Sequence, residues 1–171
     1  EFLKIGLNLR RGLAIDSLWF DNFEGTPWIG TLHHGYYDDI RWGADFYTGQ
    51  FVLDCPGNVR STDLVPMSPD LMEDDEWIHV VGTSALNLGT MKKIVSIAKK
   101  KKEVRVKFVF STEQIPLGLL RLGHITLNPK TFSEESLFVS THNGGRRQEH
   151  FKISEFAFDH GRPVSHFVSA E

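Results

Sequence analysis

Apolar residues Val104, Val106, Phe108 and Phe110 alternate with Glu103, Arg105 and Lys107, so the strongest period in this chain is two. A helix would scatter these side chains around its axis. An extended strand puts every apolar one on a single face, which is the pattern of a half-exposed antiparallel strand. Residues 92–98, with Ile94, Val95 and Ile97, supply a hairpin partner, and the four lysines at 99–102 fall at the turn. Lysines at such a tip are expected to be solvated and to keep the edge soluble.

The same reading extends along the chain. Strand runs are expected at 13–20, 28–32, 46–53, 61–65, 76–83, 117–127, 137–141 and 151–158. Breaks fall where turn chemistry is dense: Cys55-Pro56-Gly57-Asn58, the Pro66/Pro69 pair, and an acidic connection at 73–76 expected to be solvated. Only 111–120, weakened by Pro116, and 133–136 offer helical turns. Trp19, Phe20, Phe108, Phe110, Phe156 and Phe158 are assigned to the core. The expectation is an all-β fold, an antiparallel β-sandwich, forming one domain over 1–171.

Charge and composition exclude several classes. A net charge of −3 argues against a general nucleic-acid binder. No apolar run approaches the ~20 residues of a membrane-spanning helix, so no membrane partner is expected. The single cysteine, Cys55, has no partner for an internal disulfide and is read as a small packed side chain. Nothing marks an oxidising compartment, and a cytoplasmic setting is the expectation. The chain starts at Glu1 and enters a strand-like run almost at once, which suggests a piece of a longer polypeptide. No segment has the spacing of a phosphate-binding or dinucleotide-binding loop, and no cofactor is expected.

Residues 30–50 stand apart. They hold two His, three Asp, one Arg, one Trp, three Tyr and one Phe among four Gly. Aromatic faces beside carboxylates and imidazoles suit a sugar, whose flat C–H face stacks on a ring while its hydroxyls need charged or amide partners. The candidate ligand-binding residues are His34, Tyr37, Asp38, Asp39, Trp42, Asp45, Tyr47 and, from the turn at 142–145, Asn143. Adjacent residues of a strand point to opposite faces, so His33-His34 and Asp38-Asp39 cannot all converge, and no metal is expected. For sugar-ring acid–base chemistry the candidate catalytic pair is His142, or His34, with Glu149. A glycosidase using two of Asp38, Asp39, Asp45, Glu149 and Asp159 is also open.

Three segments carry a family resemblance: Arg10-Arg11-Gly12-Leu13-Ala14-Ile15-Asp16-Ser17-Leu18 near the start, Gly43-Ala44-Asp45-Phe46-Tyr47-Thr48-Gly49, and the turn Thr141-His142-Asn143-Gly144-Gly145 before Glu149. Together they resemble the galactose mutarotase-like β-sandwiches, which also serve as accessory sandwiches in large glycoside hydrolases. The pattern runs over roughly 10 to 158, shorter than the family's complete sandwiches. The resemblance implies a carbohydrate partner and, in the same polypeptide, a catalytic domain. It gives a sugar-binding accessory module, leaning away from catalysis by this domain alone. The alternatives are a free-standing aldose epimerase or small glycosidase using a His and a carboxylate, and a packing module without a ligand. The family's free-standing epimerases pair a His acid with a Glu base, and no motif here places that pair.

Overall fold

The strand with the clearest alternation is also the easiest to find in the fold. It is β9, Val104–Ser111, and it pairs antiparallel with β8, Gly89–Ala98, around the lysine turn. The computed structural model describes residues 3–21, 24–30, 47–57, 59–87, 89–114, 116–128, 130–141 and 146–152. These form an all-β chain with antiparallel pairing throughout. Where a single sandwich over 1–171 was expected, the chain divides into two compact units, Glu1–Asn128 and Pro129–Glu171.

In the first unit, one sheet runs β6-β7-β8-β9, adding β6 (Asp70–Glu73) and β7 (Trp77–Leu86). A second runs β1-β2-β3, from β1 (Leu3–Asn8), β2 (Ala14–Phe20) and β3 (Ile29–Gly30). A third runs β10-β4-β5, from β4 (Phe51–Cys55), β5 (Val59–Thr62) and β10 (Leu119–Leu122). The second unit holds a 3-10 turn, Glu134–Ser136, inside the predicted helical turn, and a hairpin of β11 (Phe138–Thr141) and β12 (Glu149–Lys152).

The core sits between the four-stranded sheet and the strands facing it, the arrangement of a β-sandwich. Val80, Met91 and Val95 from the first meet Leu13, Phe51 and Leu53 from the others, with Val104, Phe108 and Phe110 packed against them. Phe51 meets Phe108 and Phe110 edge-on, at ring separations of 6.2 and 5.2 Å. Alternation therefore predicts the buried side of β9 correctly. Trp19 departs from its core assignment. It is half-buried, beneath the Lys4 ammonium at 4.8 Å, and its indole N–H donates to Gly25 O at 2.7 Å. Phe156 and Phe158 lie outside the described residues.

A fully buried ion pair joins the layers. Lys93 and Asp63 have no exposed side-chain surface, and Lys93 Nζ stands 2.8 Å from Asp63 Oδ2 while donating to Gly12 O at 2.7 Å. Asp63 Oδ1 accepts from the Phe51 amide at 3.0 Å. Burial pushes the Asp63 carboxyl up and the Lys93 ammonium down from their ordinary pKa ranges, and their mutual attraction opposes both shifts. Gly82, opposite Lys93 on β7, leaves room for Leu13 and Met67, which a Cβ there would meet at 2.9 and 2.7 Å. Gly12 has φ +62°, and a Cβ there would stand 1.9 Å from Asp63 O. Glycine is thus required at this position, just before β2.

Candidate ligand-binding site

Residues 31–46 lie outside the described residues, and the described chain stops at Gly30 and resumes at Tyr47. These two points are tied together. Thr48 Oγ1 donates to Gly30 O at 3.1 Å and accepts from the Thr126 amide at 3.0 Å. Gly30 N donates to Thr126 O at 3.1 Å, and Ile15 N to Thr48 O at 2.9 Å. Gly30 permits this junction because a Cβ there would lie 2.2 Å from Asp16 O. Gly49 turns the chain with φ +74°, its amide donating to His124 O at 2.8 Å.

Beside this junction is a cleft of about 390 Å³. Ile15, Leu18 and Phe20 of β2 and Val104 and Val106 of β9 make its apolar walls; Thr48, His124, Lys102 and Glu103 contribute polar groups. Lys102 pairs with Asp21, and Glu103 Oε1 accepts from Arg105 Nε at 2.7 Å. An apolar floor with a few fixed polar groups is the usual make-up of a small-ligand pocket. Lys102, Glu103 and His124 had no signal in the sequence, because they reach the cleft from a hairpin tip and a connection distant in the chain.

Of the predicted ligand-binding residues, Tyr47 is corrected. It is 8% exposed and packs with Ala14, Val52 and Leu64, so its ring belongs to the core and not to a stacking surface. A ring at the point where the chain re-enters the fold is held by neighbours on β2 and β4. His34, Tyr37, Asp38, Asp39, Trp42, Asp45 and Asn143 lie outside the described residues. So does His142 of the candidate catalytic pair. Its partner Glu149 is exposed at the start of β12, across from Thr141. Among the described residues, no three His, Cys, Asp or Glu side chains gather as a metal site.

One chemically suggestive chain lies on the outer face of the four-stranded sheet. His79 Nδ1 is 2.8 Å from Ser96 Oγ, and its Nε2 is 3.2 Å from Asp74 Oδ2. Ser96 sits mid-strand in β8, with β7 and β9 on either side and its backbone within the ladder. Acyl transfer needs preorganised donors aimed at a developing oxyanion, and the ladder leaves no such pair beside Ser96. The row instead fastens the β6–β7 turn to the sheet. Asp74 Oδ1 also accepts from the Glu76 and Trp77 amides at 2.8 and 2.7 Å. These bonds hold its carboxyl below the ordinary aspartate range, with a smaller contribution from His79. The acidic connection is exposed at Glu73, Asp74, Asp75 and Glu76, as expected of a solvated one, and these bonds give it a built turn.

The chain matches no protein-family model, no curated protein and no solved structure.

Proposed function

We propose that this chain is a carbohydrate-associated module with a galactose mutarotase-like sandwich, serving as the sugar-binding accessory part of a glycoside hydrolase. The observation that carries the reading is the junction at Thr48. The stretch richest in rings and carboxylates starts and ends beside a cleft with apolar walls and polar groups at 102, 103 and 124. In this reading Trp42 and Tyr37 stack on the sugar, while His34, Asp38, Asp39, Asp45 and Asn143 bind its hydroxyls. The test is calorimetric titration of neutral oligosaccharides into the chain and into a Trp42→Ala variant. Binding without conversion of the sugar, weakened in the variant, is the expected outcome. No heat from any sugar, or heats that Trp42→Ala leaves unchanged, would remove the basis for the reading.

A second reading, a packing module, draws on a different observation. Leu117, Leu119 and Leu122, in and beside β10, are 88%, 61% and 51% exposed. Exposed apolar groups clustered on one strand suit burial against another domain. Strong binding of an apolar dye by the isolated chain, together with indifference to all sugars, would favour this reading over the first.

A further inference from the structure

The four lysines of the β8–β9 tip do not behave alike. Lys99 Nζ stands 2.5 Å from Glu73 Oε1 and donates to Asp74 O, and Lys102 Nζ pairs with Asp21. Lys100 and Lys101 make no ion pair among the described residues. With Glu76, Trp77 and Ala98 they line a cavity of about 90 Å³. A tip whose lysines merely kept the protein soluble would have no need of a tryptophan and a cavity behind it.

The walls of this cavity are fixed by the surrounding hydrogen bonds. Trp77 is half-buried and lies across the ladder from Ala98, whose methyl leaves space beside the indole. The Arg105 guanidinium stands 4.3 Å from the Trp77 ring, oriented by its bond to Glu103. Asp74 holds the Glu76 and Trp77 amides, and the Lys99 amide donates to Glu76 O at 2.9 Å. The result is a preset aromatic wall, two uncommitted ammonium groups and one carboxylate. A pyranose offers C–H groups to the indole and hydroxyls to Glu76, and the ammonium groups call for an anion on the same ring. A polyphosphate chain fits less well. Its several charges exceed what two ammonium groups offset, and Glu73, Asp74, Asp75 and Glu76 at this end of the sheet repel it more than they repel a singly charged ring.

We propose that the cavity between Trp77, Lys100 and Lys101 binds a sugar ring carrying a carboxylate or a sulfate. This rests on the carbohydrate reading of the chain, at a place separate from the cleft beside Thr48. The experiment titrates the full chain with an oligogalacturonate, a sulfated galacto-oligosaccharide, a neutral galacto-oligosaccharide and a single-stranded DNA oligomer. The Trp77 indole N–H signal is followed by NMR, and the affinity of each variant is measured by calorimetry. Variants are K100Q/K101Q, whose exposed side chains carry no packing, and Trp77→Phe, which keeps a ring.

Anionic sugars should shift the Trp77 signal, and K100Q/K101Q should weaken them by about tenfold or more, with neutral sugars unaffected. Trp77→Phe should weaken them less. A preference between the carboxylate and sulfate ligands would identify which anion the site takes. If neutral sugars bind through Trp42 while anionic ones do no better and leave Trp77 unmoved, this site falls and the proposed function stands. If no saccharide binds at all, both fall. Tighter binding of the DNA oligomer through the same lysines would overturn the saccharide assignment here.

Discussion

Lys93 and Lys102 each meet an aspartate in the same half of the molecule, in opposite surroundings. Lys93 and Asp63 are sealed between the layers, each with 0% side-chain exposure. Lys102 and Asp21 lie at the surface, at 50% and 62%. The buried pair also holds Gly12 O and the Phe51 amide, so removing it would strand these two backbone groups out of reach of water. The surface pair releases its ions to solvent when broken. Burial, more than the contact itself, decides what an ion pair contributes.

The largest expected effects come from the buried side. Lys93→Met leaves the Asp63 carboxylate without its counter-ion and should cost about 3–5 kcal/mol in denaturant unfolding. A loss under about 1 kcal/mol would mean that water reaches the pair and that the contrast is unreal. Gly12→Ala attacks the same point from the backbone side and should destabilise to a similar degree or prevent folding, as read from thermal melts. Replacing both partners, Lys93→Met with Asp63→Leu, sharpens the comparison. The double variant should lose less than the two single changes summed, with about 1–3 kcal/mol still lost because the Phe51 amide has no acceptor and Gly12 O no donor. Strict additivity would show that the two groups act independently.

On the surface side, Lys102→Gln should change stability by at most about 1 kcal/mol, and less at high salt. The smallest effect concerns Asp74. Its folded carboxyl titrates below the ordinary range, so its contribution is complete above that range and is lost as pH falls through the lowered value. An acid titration followed by NMR should move the Glu76 and Trp77 amide signals together. Amides that ignore the titration would show that the Asp74 bonds do not hold this turn.

The sequence speaks clearly wherever one face of a strand is wet. β9 and its lysine turn were legible for that reason, and so was β7. β6 was missed because all four residues, Asp70 to Glu73, are exposed, leaving no alternation to read. The run at 46–53 was placed early. Tyr47, Thr48 and Gln50 are buried like strand residues, but they belong to a junction, and β4 begins only at Phe51. Nothing next to Lys93 in the sequence marks it for the interior, because its burial depends on an aspartate 30 residues away and a glycine on the neighbouring strand. The polar side of the cleft was illegible on the same ground, since Lys102, Glu103 and His124 come together only in the fold.

Because Gly30 and Thr48 are joined, the chain on either side of residues 31–46 is held at one point. For a flexible connection between two points already held together, the closure entropy rises only with the logarithm of length, about 0.6 kcal/mol per doubling. Changing the length of chain between these two points should therefore cost little entropy while the Gly30–Thr48 tie keeps β3 beside the approach to β4.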